Sequence, residues 1–301
     1  MARIVSIGEC MVEMAPASGG TFSMGFAGDT FNTAWYLRRI LPAQNTVSYL
    51  TAVGTDAMSQ QMLNFMAGEG LDTAHVQRLQ GRNVGLYLIQ LAQGERSFAY
   101  WRSTSAARSL ADDAAPLEAA LAGADLAYLS GITLAILPPE SRTRLFAALA
   151  RARAAGTKIA FDPNIRAALW PDTATLRQVI TQMASVADIV LPSFDDEATH
   201  FGDASPADTA RRYGTSGTPL VIVKDGPKPV VTWHEGRLDT HPVAAPTVQV
   251  VDTTAAGDSF NAGFLARMLA GDAINDSVLA GSALAARVIA GPGALVRTAI
   301  L

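Results

Sequence analysis

The sequence predicts an α/β fold of three layers, with helices on both faces of a mostly parallel central sheet and a small antiparallel β lid. Three observations carry that prediction. From about residue 117 onward, helical stretches alternate with short apolar runs at 126–129, 158–161, 188–191 and 220–223. Near-continuous apolar strands spaced by helices belong to a parallel sheet covered on both sides. Residues 84–91 and 97–102 form two extended runs around Ala92-Gln93-Gly94-Glu95, the pattern of a hairpin. Finally, 301 residues with 49% hydrophobic and 17% charged residues can bury a sizeable core, which excludes a disordered chain. The expected organisation is one unit over 1–301, its lid built from about 9–28 and 83–102.

The elements follow in order. Arg3 to Gly8 reads as the first strand, and 9–28 as short extended pieces with a turn at Ser18-Gly19-Gly20. Phe31, Ala34, Trp35 and Arg38 mark one face of a helix over 29–41, which Pro42 ends. A strand at 47–50 precedes a helix at 56–66, closed by Gly68 or Gly70. Tyr87, Gln90 and Arg102 inside the hairpin runs point to a face open to solvent or ligand. Helices are expected at 117–122, 140–155, 173–185 and 206–214, each ahead of one apolar run. A short β segment covers 230–233 and 238–241. A strand at 248–251 then runs into a helix at 257–269, followed by another at about 273–290.

Composition removes several classes of function. A net charge of −4 gives no reason to expect nucleic acid or an anionic membrane as partner. The 23 basic residues include only three lysines, Lys158, Lys224 and Lys228, and none follows a glycine. A G-x-x-x-x-G-K-[ST] phosphate loop is therefore impossible. One cysteine, Cys10, permits no intramolecular disulfide or cysteine-rich metal cluster, and the four histidines are scattered. The chain opens on a strand pattern lacking the apolar stretch of a signal peptide, and no apolar run reaches membrane-spanning length. A cytoplasmic protein is the expectation.

The segment from Val251 to Gly263, VDTTAAGDSFNAG, is the strongest local signal. A strand ending in small residues and passing directly into a helix exposes unpaired N–H groups at the positive end of the helix dipole. Small side chains let an anion approach that backbone. Asp258, in the first turn, is placed to take a proton from an incoming hydroxyl, as phosphoryl transfer to an alcohol requires. On these residues alone a second reading stands beside it: Asp258 as a capping acid, with the small residues serving close packing.

The same segment resembles the C-terminal signature of the ribokinase-like, PfkB-type sugar kinases, D-T-x-G-A-G-D-x-F, with Ala255 where that family usually has glycine. Gly25-Phe26-Ala27-Gly28-Asp29-Thr30-Phe31-Asn32 is similar to the family's N-terminal counterpart, about 230 residues earlier in the correct order. Asp162-Pro163-Asn164-Ile165-Arg166 and Val221-Ile222-Val223-Lys224-Asp225-Gly226 fall where the family places its mid-chain strand ends. The resemblance covers essentially the whole chain. It implies a ribokinase-like fold, Asp258 as general base, and Ala255, Ala256 and Gly257 as an anion hole for the transferring phosphoryl. The substitution at Ala255 is harmless if only its N–H matters, and costly if the turn needs a positive φ there. The resemblance further implies ATP as donor, with Ser193, Lys224, Gly226, Ala256 and Gly257 along the nucleotide, and Mg²⁺. The family's N-x-x-E is not intact in Pro192-Ser193-Phe194-Asp195-Asp196-Glu197; Glu197 is chosen as the metal-organising acid, with Asp196 as the alternative and an ordinary acidic helix start as the plainer reading.

Within the family the chain most resembles the members acting on 2-keto-3-deoxygluconate. The residues behind this are Gly8 to Met14, Gly94 to Arg102, Asp162 to Arg166 and the Thr-Thr-Ala-Ala-Gly-Asp form of the signature. A sugar-acid carboxylate calls for cationic, preferably bidentate, donors. Arg102 on the lid and Arg166 at a strand end are candidates, although an exposed cross-strand ion pair also explains Arg102. Gly28, Asp29, Asn32, Tyr87 and Tyr100 complete the expected acceptor site; capping by Asp29, and packing of the tyrosines within the lid, are the competing explanations. The implied reaction is ATP-dependent phosphorylation of the C6 hydroxyl. Other acceptors (fructose, ribose, 2-keto-3-deoxygalactonate) and a non-catalytic sugar-acid binding protein are the alternatives. The resemblance also implies a homo-oligomer formed through the lid sheet.

Overall fold

The structure, a computed structural model, describes residues 1–92, 95–243 and 249–300. The N-terminal portion runs β1 (Arg3–Ile7), β2 (Met11–Pro16), β3 (Phe22–Ala27), α1 (Asp29–Ile40), β4 (Thr46–Val53), α2 (Ala57–Gly68), β5 (Val76–Arg78), β6 (Leu86–Ala92) and β7 (Glu95–Trp101). The middle follows as α3 (Ala114–Leu121), β8 (Leu126–Ser130), α4 (Gly131–Ile136), α5 (Pro139–Ala154), β9 (Lys158–Asp162), α6 (Thr173–Val186) and β10 (Ile189–Val190). The remainder is α7 (Phe194–Phe201), α8 (Pro206–Thr215), β11 (Leu220–Val223), β12 (Val230–His234), β13 (Arg237–His241), α9 (Ala256–Leu269) and α10 (Ile274–Val288).

A nine-stranded sheet has the order β13-β12-β11-β10-β9-β8-β1-β4-β5, parallel from β5 to β11 and antiparallel only at β11-β12-β13. Side chains along its strands alternate between two cores, as a period of two requires. Val5, Ala127, Leu129, Ile159 and Phe161 join one core with residues of α3, α5 and α6. Ile4, Leu126, Tyr128, Ala160 and Ile222 join the other with residues of α1, α2, α9 and α10. Helices thus cover both faces, the expected three-layer arrangement.

The small sheet has the order β3-β2-β6-β7 and is mixed rather than purely antiparallel, because β2 and β6 pair in parallel. The chain passes through the large sheet between these two strands, so no tight turn forces them to oppose. Residues 93–94 of the expected hairpin turn lie outside the described residues. Register places Glu13, Gly25, Tyr87 and Tyr100 on one face. Met11, Ala27, Tyr87 and Ile89 on this face pack with Ala294, and Ala255 borders the cluster.

The expected strand at 248–251 is a correction: residue 248 is outside the described residues, and 249–251 form no strand. The amides of Val251 and Asp252 donate instead to the carbonyl of Ile289, just beyond α10, at 2.8 and 3.1 Å. A helix C-terminus has unpaired carbonyls to offer, and here they replace a sheet partner. Helix α4 and strand β5 were not expected; both are too short for periodicity to register.

Candidate active site

Helix α9 begins at the carboxyl ends of the parallel strands, where ligands bind in open α/β sheets. Ala255, its N-cap, has φ 60° and ψ 17°, the left-handed region. This is the costly branch of the expectation, for an L-residue there is strained by about 1–2 kcal/mol. The Ala256 amide donates to Thr253 O at 3.2 Å, so this member of the expected anion hole is already engaged. The amides of Ala255 and Gly257 have no acceptor among the described residues. Two unpaired donors at a helix N-terminus form a cradle for an anion.

Asp258 is buried beside them, and its Oδ2 accepts from Asn32 Nδ2 at 2.8 Å. Burial, reinforced by the negative charge of Asp29, pushes its pKa up to about 8; the Asn32 hydrogen bond and the cation of Lys224 oppose that rise. A carboxylate so destabilised as an anion has unusual basicity for its type.

Asn32 also presents its Oδ1 to the amide of Gly28 at 3.3 Å. Gly28 is demanded by packing: a Cβ there would come within 2.2 Å of the Glu9 carbonyl oxygen. Asp29 caps no amide of α1; its Oδ2 accepts from Asn164 Nδ2 at 2.8 Å. Asn164 holds a left-handed φ of 34°, and its amide donates to Asp162 Oδ1 at 3.0 Å. Gly28, Asp29, Asn32 and Asp258 are therefore brought together, with Asn164 as a partner not foreseen.

Beneath α9 lies a buried network. Lys224 Nζ donates to Asp162 Oδ2 at 2.9 Å and to Asn261 Oδ1 at 3.0 Å. Asn261 Nδ2 donates to Asp162 Oδ2 at 2.6 Å and to the Tyr128 hydroxyl at 3.0 Å. Thr33 Oγ1 bonds the Tyr128 hydroxyl at 3.3 Å and the Asp258 carbonyl at 3.2 Å. Lys224, expected along the nucleotide, has its ammonium anchored by Asp162 and Asn261 beneath the first turn of α9. Asn261, four residues after Gly257 and so on the same helix face, was the legible sign of this network.

The lid residues differ from expectation in their partners. Tyr87 is buried and its hydroxyl donates to Glu13. Tyr100, directly opposite, is 52% exposed, and its ring centroid lies 6.0 Å from that of Tyr87. Arg102 is closed onto buried Glu9 in an ion pair. Each of these groups thus has a carboxylate partner that the sequence reading did not name, while Arg102 Nε and Glu9 Oε1 stay buried with no hydrogen-bond partner among the described residues. Glu9 and Glu13 were visible in Gly8 to Met14 but were given no role. Arg166 stays half exposed, donating to Ile165 O at 2.8 Å with Asp196 Oδ2 3.8 Å away.

On the nucleotide side, Ser193 and Lys224 share a parallel backbone bridge, the Phe194 amide donating to Lys224 O at 2.8 Å. Gly226 has φ 54° with open space around it, a turn that favours glycine. Glu197 is corrected outright as a metal-organising acid. It is fully buried, accepting from Arg212 Nη2 at 2.6 Å and from the Tyr213 hydroxyl at 3.0 Å. Burial raises its pKa to about 7 against the opposing pull of Arg212. Its neighbour Asp196 remains partly accessible, accepting from the Ile165 amide at 3.2 Å.

This fold, with an acid and unpaired amides at one helix N-terminus, defines the chain as a sugar kinase of the PfkB type: residues 1–298 match the pfkB family carbohydrate kinase model, and the chain belongs to that family. It is 42% identical over 300 residues to 2-dehydro-3-deoxygluconokinase of Escherichia coli K12, covering 98% of this chain and 97% of that one. It is 30% identical over 269 residues to an Escherichia coli fructokinase, covering 88% and 83%. Among solved structures, a PfkB protein from Polaromonas superposes with a TM-score of 0.86 at 27% identity, covering 100% and 99% of the two chains.

Proposed function

We propose that the chain transfers the γ-phosphoryl of ATP to the C6 hydroxyl of 2-keto-3-deoxygluconate, giving 2-keto-3-deoxy-6-phosphogluconate. The observation that carries this is the placement of Asp258 beside the unpaired amides of Ala255 and Gly257. Asp258 Oδ1, left free by Asn32, takes the proton of the acceptor hydroxyl as that oxygen attacks phosphorus. The two amides receive the charge on the phosphoryl oxygens, preorganised where it develops. Asn32 and Asp29 orient the acceptor. The half-exposed guanidinium of Arg166 meets its carboxylate, with Arg102 reaching the same group only by exchanging Glu9 for it.

Among the described residues no three His, Cys, Asp or Glu side chains gather to hold a metal. That suits Mg²⁺ carried mainly on phosphates, since this ion uses one or two protein carboxylates and keeps several waters. Asp196 is the accessible carboxylate that would hold it, and the bound ion would neutralise phosphate charge.

The acceptor assignment rests on the relatives named 2-dehydro-3-deoxygluconokinase and on Arg166. The fructokinase relative supports a neutral ketose as the second reading. Coupled ADP-release assays over 2-keto-3-deoxygluconate, its C4 epimer, fructose and ribose decide between them. Turnover of the gluco acid at the highest kcat/KM is expected; greater turnover of fructose overturns the assignment.

The lid face turned away from Tyr87 exposes Phe22, Met24 and Trp101, which supports a homo-oligomer through the lid. Sedimentation velocity is expected to give a dimer or larger species that Trp101→Asp weakens. Among the described residues no helix is long and apolar enough to cross a membrane, and the proposed location is the cytoplasm.

A further inference from the structure

Lys224 follows β11 and points its side chain into the protein, where it is buried. An ammonium carries three N–H donors. Two are used, by Asp162 Oδ2 at 2.9 Å and Asn261 Oδ1 at 3.0 Å. The third has no acceptor among the described residues. A Cβ built on Gly257 would lie 3.7 Å from Nζ, so the ammonium reaches the first turn of α9. The unpaired amides of Ala255 and Gly257 open from that same turn.

Asp162 is itself heavily engaged, accepting from Lys224, Asn261 Nδ2 and the Asn164 amide. It anchors the cation without needing its last proton. A buried cation beside an anion cradle interacts strongly with any charge that enters, because little water screens it.

We infer that Lys224 is a catalytic residue whose third N–H donates to a non-bridging oxygen of the transferring phosphoryl group, with Asp162 and Asn261 as the positioning residues that aim it. This deepens the proposed kinase reading and rests on it. Lys224 stays protonated throughout. The bond from phosphorus to the ADP oxygen breaks, the bond to the acceptor oxygen forms, and the hydroxyl proton goes to Asp258. The ammonium thereby supplies a donor that a phosphate loop would otherwise provide.

The test compares Lys224→Met and Lys224→Gln with the parent enzyme. Losing one preorganised donor lowers turnover by about 100-fold or more. The KM for ATP and the affinity for ADP are expected to change less than threefold, while affinity for ADP with aluminium fluoride and acceptor falls in step with kcat. The acid limb of kcat also moves to higher pH. Asp258 is faced by Asp29 and Asn32 on α1, Asp162 ending β9, Lys224 after β11, and the phenols of Tyr36 on α1 and Tyr128 on β8; the Asn32 hydrogen bond and the Lys224 cation favour its ionised form, and Lys224 is the only cation among them.

Asn261→Leu, which retains Lys224 but removes one acceptor, tests the same point should the lysine variants fail to fold. A smaller fall in kcat with unchanged KM for ATP is expected. A kcat within threefold of the parent in the folded variants, or a raised KM for ATP at unchanged kcat, overturns the inference. A parent enzyme inactive on every sugar tested overturns the kinase reading instead, so the two failures are distinct.

Discussion

Asn32 and Asp258 are 226 positions apart in the chain and meet where α1 packs on α9, Nδ2 of the amide donating to Oδ2 of the carboxylate at 2.8 Å. This single bond occupies one carboxylate oxygen; the other is the one that the proposed reaction assigns to the acceptor hydroxyl. It also joins the two glycine-containing signatures into one site.

Replacing Asp258 with Asn keeps the hydrogen-bonding shape and removes the base. Turnover is expected to fall by about 10²–10⁴-fold, with ADP affinity measured by calorimetry nearly unchanged. Near-normal turnover would remove Asp258 from this role.

The pH dependence follows from the raised pKa of Asp258, about 8 against an ordinary 3.8. A base must be ionised, so kcat/KM is expected to rise with pH through the neutral to alkaline range. Asp29→Asn removes the nearest like charge and should move that limb to lower pH. For stability, a carboxyl whose folded pKa lies above its unfolded value favours folding at low pH, and that contribution is lost between about pH 4 and 8. Asp258→Asn should flatten this decline, as followed by denaturant unfolding at several pH values; an unchanged slope would contradict the assigned shift.

Ala255 holds a φ of 60° that glycine adopts freely. Ala255→Gly is expected to raise unfolding free energy by about 1 kcal/mol, through relief of that strain, while preserving turnover because the N–H is retained. A lower denaturation midpoint would argue that the turn is not strained.

Arg166 carries the only guanidinium of the two candidates that remains open to an entering carboxylate. Arg166→Ala should raise KM for sugar acids by about 10–100-fold, the worth of a charged hydrogen bond, with little change for neutral sugars. Equal effects on both classes would remove Arg166 from carboxylate recognition.

Arg212 neutralises Glu197, which is completely buried between α7 and α8. Arg212→Met leaves that acid without its cation and is expected to destabilise the fold by about 3 kcal/mol or more, read as a drop in Tm. Glu197→Gln should leave the Mg²⁺ dependence of turnover unaltered. A raised Mg²⁺ requirement in that variant would restore Glu197 to the metal site.

The sequence by itself determined the layered fold, because apolar runs alternating with amphipathic helices bury their surface in few ways. It also pointed to Asp258, Asn32, Asp29 and Gly28 as candidates, since those residues sit in two short signatures, and the fold brings them together. Tertiary structure decided which groups are free. Arg102, Tyr87 and Glu197 each carry chemistry that looks available along the chain, but Glu9, Glu13 and Arg212 pair with them from other elements. Desolvation drives such pairing: a charge or hydroxyl taken out of water must find a partner, and sequence distance does not reveal which one. The turn at Ala255 was likewise undecided until its φ was seen, and only the fold shows Lys224 as a buried cation anchored by Asp162 and Asn261 beneath α9. Composition shows only that no phosphate loop exists; the fold brings the unpaired amides of Ala255 and Gly257 and the ammonium of Lys224 to the first turn of α9.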